Sequence, residues 1–227
     1  MKSYFLAIVA LASTAATVQA ADPLTLPGPE AAAYDWSGAY FGAQGGYGWV
    51  AGEVPKNIFD GTKTESADGA AAAIFGGYSH QLSNNFVVGI DAEFGYNWND
   101  NSYAIVSPFP ILNGQSVTFG TEWRASVEGR VGYAFDRILV FASGGWTATR
   151  LDGSFSLTNQ SFDEVMNGWT LGAGIDYALT DNVFARLKAS YSDYGSTDII
   201  TKATGIPGLP DAKLSQASLM AGIGFKF

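Results

Sequence analysis

The sequence predicts an all-β fold, an eight-stranded antiparallel transmembrane β-barrel preceded by an N-terminal signal peptide. Three observations carry this reading. Apolar residues alternate with small or polar ones over eight stretches, which is the period of a strand with two unlike faces. Charged residues are 15 % of the 227-residue chain, against about 25 % in an ordinary soluble domain. Past the N-terminus, however, no run of about 18 apolar residues offers a helical span. The chain closes on Ser218-Leu219-Met220-Ala221-Gly222-Ile223-Gly224-Phe225-Lys226-Phe227, alternating up to a terminal aromatic.

The elements follow in order. Residues 1–20 read as a secretory signal, with Lys2 as its positive region and Phe5 to Ala16 as its apolar core. Val18-Gln19-Ala20 is a small-x-small cleavage site, so the mature chain begins at Ala21 after cleavage at Ala20. Residues 21–36, with Pro23, Pro27 and Pro29, read as a periplasmic lead-in without a core of its own. Residues 37–227 form the barrel. Its expected strands are Gly38–Val50, Gly69–His80, Phe86–Trp98, Gly120–Phe135, Ile138–Thr149, Gly168–Leu179, Asn182–Tyr194 and Lys213–Phe227. Each reaches the ~9–11 residues that a tilted strand needs to cross a bilayer. Tight polar connections at Leu82–Asn85, Asp136-Arg137 and Thr180-Asp181 alternate with long ones at 51–68, 99–119, 150–167 and 195–212. Short turns at one end and long loops at the other fit a barrel of the bacterial outer membrane, with both termini on the periplasmic side.

Facing follows from the alternation. The third segment sets Phe86, Val88, Ile90, Ala92, Phe94, Tyr96 and Trp98 against Gly89, Asp91, Glu93, Gly95 and Asn97. The fourth sets Trp123, Val127, Val131, Tyr133 and Phe135 against Arg124, Glu128 and Arg130; the sixth and seventh do likewise around Asp176, Arg186 and Lys188. The apolar face must meet lipid, because a charge there at mid-depth costs about 2–4 kcal/mol. Aromatics at the ends of these faces (Phe86, Trp98, Trp123, Phe135, Trp169, Tyr177, Tyr191) fit interfacial girdles. A soluble calycin-like barrel would reverse the facing. The second and fifth segments are too rich in Ala and Gly to assign.

The run Tyr34-Asp35-Trp36-Ser37-Gly38-Ala39-Tyr40-Phe41-Gly42-Ala43-Gln44-Gly45-Gly46-Tyr47-Gly48-Trp49 resembles the opening strand of the alphaproteobacterial small outer-membrane β-barrel family, the outer-membrane immunogenic, haemin-binding and porin-like proteins. Gly76-Gly77-Tyr78, Asp91-Ala92-Glu93, Gly129-Arg130-Val131-Gly132-Tyr133, Gly145-Trp146 and the closing strand extend the resemblance over the mature chain. It implies an eight-stranded barrel in the outer membrane but no single function, since members are variously linked to envelope integrity, host contact, haemin binding and passive diffusion. The terminal Phe227 likewise resembles the signal read by the barrel-assembly machinery.

The inward charges are the leading polar set. Asp91, Glu93, Glu128 and Asp176 meet Arg124, Arg130, Arg186 and Lys188 in a lumen that side chains can just fill, so a paired plug is expected. A narrow ion path lined by both signs is the alternative. An enzyme is not expected. The single histidine, His80, falls beside a periplasmic turn, and Ser or carboxylate chemistry would lack its usual partner. With no cysteine, neither disulfides nor a thiolate metal site can form. No cofactor is expected. Haemin is the alternative, at Tyr103 with Ile105, Val106 and Phe109 in the second loop. A net charge of −9 argues against nucleic-acid binding. Expected partners are outer-membrane lipid, lipopolysaccharide and the assembly machinery, with host or surface ligands reached through apolar loop tips at Pro108–Leu112 and Gly205–Pro210. A closed barrel leaves no unpaired edge, which fits a monomer. The function expected is structural and surface-exposed in the cell envelope, with a small passive porin or a haemin-binding surface protein as alternatives.

Overall fold

A computed structural model describes residues 34–53, 67–98, 101–104, 116–155, 160–197 and 212–227. The strands are β1 (Gly38–Glu53), β2 (Ala67–Gln81), β3 (Phe86–Trp98), β4 (Asn101–Ala104), β5 (Ser116–Phe135), β6 (Ile138–Phe155), β7 (Gln160–Ala178), β8 (Val183–Thr197) and β9 (Ala212–Lys226). Every pairing between neighbouring strands is antiparallel, and eight of the strands close a ring: β1-β2-β3-β5-β6-β7-β8-β9 and back to β1. The closing seam runs from Tyr40 opposite Lys226 to Glu53 opposite Lys213, and the Phe227 N–H donates to the Ala39 carbonyl at 3.0 Å.

β4 carries the β3 position of the ring farther out, on the side of β5 away from β6. It pairs with β5 from Asn101–Phe119 to Ala104–Ser116, inside the stretch expected to be the second loop. The third long connection is also largely strand, since β6 and β7 pair without a break from Ile138–Tyr177 to Phe155–Gln160. The alternation fades there for a physical reason. An 18-residue strand rises about 60 Å and overruns the ~25 Å apolar band even when tilted. Beyond lipid both faces meet water, so the hydrogen-bond ladder continues without a hydrophobic signature.

The tight turns lie at the end that carries Gly38 and Phe227. Asn85 and Asp136 occupy them in the left-handed region, at φ 65° and 52°, where Asn and Asp are the side chains best tolerated. At the other end the ladder is interrupted between Thr121 and Arg124, and between Asp193 and Ser196. Beside the first interruption the Thr149 hydroxyl donates to the Trp123 carbonyl at 3.0 Å, as the Thr147 hydroxyl does to the Ala125 carbonyl at 3.1 Å in the regular ladder. Gly195, at φ 72°, takes up the second.

The facing is apolar outward and polar inward. On β3, Ile90, Phe94 and Trp98 are exposed while Asp91, Glu93 and Asn97 are buried. The two segments left unassigned by alternation are fixed as well. β2 turns Ile74 and Tyr78 out with Phe75 and Ser79 in, and β6 turns Val140 and Trp146 out with Phe141 and Thr147 in.

The inner end of the lumen is aromatic, and glycines make room for it. Tyr40 lies opposite Gly77, Phe75 opposite Gly42, Phe141 opposite Gly174 and Phe184 opposite Gly224, each pair directly across a ladder. A Cβ on Gly224 would sit 2.2 Å from Phe184 Cζ. That ring cannot swing away, because Trp36, Tyr40 and Phe75 pack around it at centroid distances of 6.1, 5.9 and 6.2 Å. Gly224→Ala is therefore expected to cost about 1–3 kcal/mol. Adding Phe184→Leu should restore part of it. Urea unfolding in lipid vesicles measures both, and an additive pair would disprove the contact.

Tyr34 and Trp36, expected in a lead-in without a core, pack into this aromatic end. They join Tyr40, Phe75, Val87, Ala134, Leu139, Ala178 and Phe184 in one buried cluster. Residues 1–33, which include the signal segment, Ala20 and Ala21, lie outside the described residues, as do 105–115 and 198–211 with both apolar loop tips.

Candidate functional site

Acids and bases reach the lumen from four strands. β3 supplies Asp91 and Glu93; β5 supplies Arg124, Glu128 and Arg130; β7 supplies Asp176; β8 supplies Arg186 and Lys188. All lie on the inward phase of their strands, and none is more than 8 % exposed. They fall into two quartets, each with two acids and two bases.

The inner quartet is Asp91, Arg130, Asp176 and Arg186. Arg186 grips Asp176 with both arms of its fork, Nε to Oδ1 at 2.8 Å and Nη2 to Oδ2 at 2.9 Å. Its Nη1 reaches Asp91 Oδ1 at 3.4 Å. Arg130 donates to Asp176 Oδ2 at 2.9 Å and lies 3.5 Å from Asp91 Oδ2. Tyr40 hydroxyl accepts from Arg130 Nη1 at 3.0 Å and donates to Asp91. The guanidiniums rest on the aromatic layer below, with Arg186 4.2 Å from the Phe75 centroid and Arg130 4.2 Å from that of Phe141. Each guanidinium thus meets carboxylates on one side and a ring face on the other.

The outer quartet is Glu93, Arg124, Glu128 and Lys188. Lys188 Nζ donates to both Glu128 oxygens, at 2.9 and 3.0 Å, and lies 3.6 Å from Glu93 Oε2. Ser126 and Ser143 hydroxyls donate to Glu128 at 2.9 and 2.6 Å. Arg124 pairs with Glu93 and donates to Ser218 Oγ at 3.5 Å.

The pairing braces the barrel across its width. Asp91 and Glu128 are directly opposite one another on β3 and β5, a like-charge contact that would repel on its own. Arg186 and Lys188 reach over from β8 to neutralise them. Side chains from non-adjacent strands are tied together, and a one-residue slip of β3, β5 or β8 would turn these charges toward lipid.

Beneath the inner quartet the chain crosses the mouth. Tyr34 N–H donates to Asp136 Oδ1 at 3.1 Å and its hydroxyl to the Asp181 carbonyl at 3.3 Å. Trp36 donates its backbone N–H to Gln81 Oε1 at 2.8 Å and its indole N–H to the Asp136 carbonyl at 3.0 Å. The strap leaves β1 and is held by turns on the opposite strands. Between these anchors the Ser37 N–H donates to Asp35 Oδ1 at 2.8 Å, which holds the Asp35 carboxyl below its ordinary range. Alternation could not reveal Tyr34 and Trp36, since they precede the first strand. The inward aromatics were detectable: Phe184 stands two residues before Arg186, in the same phase, and faces a glycine.

Phe227 is 69 % exposed on the outer surface and stacks on Phe41 at 5.7 Å between centroids. His80 is exposed at the inner end of β2, opposite Val88. Tyr103 lies on β4, and its expected haemin neighbours Ile105, Val106 and Phe109 lie outside the described residues.

A closed antiparallel ring with an apolar exterior, aromatic flanks and a neutralised polar interior defines an integral β-barrel of the outer membrane. Residues 7–227 match the model of the outer membrane protein beta-barrel domain, and the chain belongs to that family. It is 29 % identical to the 25 kDa outer-membrane immunogenic protein of Brucella abortus biovar 1 (strain 9-941), over 100 % of this chain and 99 % of the relative. It is 28 % identical to the 22 kDa outer membrane protein of Rhizobium leguminosarum bv. viciae, over 88 % of this chain and 82 % of the relative. Among solved structures, Neisserial surface protein A superposes with a TM-score of 0.48 at 16 % identity, covering 84 % of this chain and 99 % of that one.

Proposed function

We propose that this protein is a sealed structural barrel of the outer membrane, which holds its long loops at the cell surface and passes no solute through its lumen. The observation that carries the proposal is the stacking of two neutral ion quartets on an aromatic layer that Tyr34 and Trp36 close from below. An ion entering this lumen would have to part buried pairs that hold opposite walls together, leaving their partners unmatched at several kcal/mol each. The barrel then acts as a rigid mount, and recognition of lipopolysaccharide or host surfaces belongs to the loops. We read Phe227 as the docking signal for the barrel-assembly machinery; its exposure on the outer surface of the closing strand supports this. Among the described residues every strand of the ring is paired on both sides over the closed part of the barrel, which favours a monomer, although β7 from Gln160 to Asn167 runs on beyond its β8 partner. No catalytic role or cofactor enters the proposal. The lone histidine, His80, sits exposed at the inner end, far along β2 from the loops.

Planar-bilayer recording tests it. Refolded protein, shown to be inserted by its heat-modifiable migration, is expected to give a silent membrane. Recurrent small steps that change amplitude or ion selectivity in Glu128→Ala would establish a porin with the outer quartet as its constriction, and would end the sealed reading.

A further inference from the structure

The barrel does not finish evenly at its outer end. β7 and β8 pair from Ala178 opposite Phe184 out to Trp169 opposite Asp193, and there the ladder stops. Trp169 is exposed on the lipid side, so the parting falls at the outer aromatic level. Two features turn β8 away. Its pairing with β9 skips between Asp193 and Ser196, and Gly195 takes a left-handed φ of 72°. In a continued ladder Gly195 would stand opposite Asn167; its N–H donates instead to Asp193 Oδ1 at 2.7 Å. β7 runs on to Gln160, held on its other side by β6. Hydrogen bonds in an antiparallel ladder alternate in direction, so the phase of the free edge can be read. The Ala178 N–H meets the Arg137 carbonyl on the β6 side, and the Leu179 N–H meets the Val183 carbonyl on the β8 side. The β6–β7 register is unbroken from there, so even-numbered residues bond β6 and odd-numbered ones face the gap. The main-chain N–H and C=O groups of Ser161, Asp163, Val165 and Asn167 therefore line an edge that no described strand covers.

An unpaired edge binds what can complete it, which is a further strand. Charge selects which one. Asp163 and Glu164 lie on this stretch of β7, and Asp152 is directly opposite Asp163 on β6. The one base of the same stretch, Arg150, has its Nε 3.8 Å from Glu122 Oε2 on β5. Asp193 stands at the parting on the β8 side. A second copy offering the same edge would set acid against acid. We propose that the β7 edge from Ser161 to Asn167 is a docking site for an extended, basic segment of another protein, which joins the sheet as an added strand. The main-chain groups supply the affinity and the acids select the partner. β8, paired with β7 from Trp169 inward, fixes where the added strand stops. The inference rests on the reading that this end of the barrel faces outward for recognition, not on the sealed lumen. A conducting barrel would keep the same edge, so this test and the bilayer recording fail separately.

Residue-resolved hydrogen exchange of the labelled full-length protein in lipid nanodiscs reads the edge directly. Without a guest, the amides of Ser161, Asp163, Val165 and Asn167 are expected to exchange freely, and those of Phe162, Glu164 and Met166, bonded to β6, slowly. Equal protection of both sets would mean that the chain covers its own edge, and would overturn the proposal. The probe is the synthetic peptide Thr-Lys-Val-Lys-Val-Lys-Thr at millimolar concentration. It should slow the four edge amides by about tenfold or more, and the same peptide with Glu for Lys should not. No slowing, or equal slowing by the acidic peptide, would overturn the docking site. Val165→Pro supplies a second reading. It removes an N–H that faces the gap and breaks no bond to β6, which is where a strand tolerates proline. The variant should still fold, by heat-modifiable migration, and bind the fluorescein-labelled basic peptide about tenfold more weakly. Undiminished binding would mean that the acids attract the peptide without the edge, and would also overturn the proposal.

Discussion

Arg186→Ala is expected to lower the unfolding free energy in lipid vesicles by about 3–5 kcal/mol, the range for removing one partner of a buried ion pair. Three contributions vanish together. Asp176 loses a two-armed grip at 2.8 and 2.9 Å, Asp91 loses a contact at 3.4 Å, and Phe75 loses a guanidinium 4.2 Å from its centroid. The remaining inner quartet holds Asp91 and Asp176 against Arg130 alone, an excess negative charge in a buried place. Arg186→Lys should fall between wild type and Ala. An ammonium keeps the charge but cannot span both carboxylate oxygens as a planar fork does. The decisive variant is Arg186→Met with Asp176→Leu. It removes one acid and one base, leaves Arg130 facing Asp91, and should recover most of the loss, since buried pairs replaced by apolar groups of similar volume are often near neutral. If Arg186→Ala unfolds at the wild-type urea concentration, the quartet does not brace the barrel.

The strand map and the identity of the inward charges were legible because both depend on one rule, the period-2 contrast between lipid and lumen. Asp91, Glu93, Glu128 and Arg130 stand out because a charge on lipid is prohibitive, so their phase fixes every other residue of β3, and of β5 from Arg124 to Phe135. The rule fails where the contrast disappears. On β2 the small residues Ala71 to Ala73 carry little hydrophobic signal, and only Phe75 and Ser79 against Ile74 and Tyr78 set the phase in three dimensions. Between Arg150 and Phe155, outside lipid, strand pairing continues with no contrast to read. Partner choice was illegible for another reason. That Arg186 grips Asp176 and also reaches Asp91 depends on barrel closure, which brings β8 within a side chain's length of β3. Inward aromatics contradict a simple polar-in pattern, and only their directly opposed glycines show that the inner end was built to hold rings.

Trp36→Ala is the other large effect, about 3–5 kcal/mol by the usual cost of removing a buried aromatic. Of the six tryptophans, Trp36 alone is buried; Trp49, Trp98, Trp146 and Trp169 are exposed and Trp123 is partly so. Its ring packs edge-on against Tyr34 at 4.8 Å and Phe184 at 6.1 Å, and its indole N–H is satisfied by Asp136. Truncation therefore opens a cavity, frees the Asp136 carbonyl and loosens the strap that Tyr34 anchors at Asp181. A variant with Trp36 as its only tryptophan makes the placement visible. Acyl chains brominated along their length should quench the outward tryptophans and leave Trp36 emitting, because it sits under the lumen with the barrel wall between it and lipid. Strong quenching would place the lead-in outside the mouth. The same substitution separates the two closures of the lumen. If the aromatic strap were the only seal, Trp36→Ala would conduct. With the quartets intact above it, the membrane should stay silent in Trp36→Ala and conduct only when a quartet is broken as well.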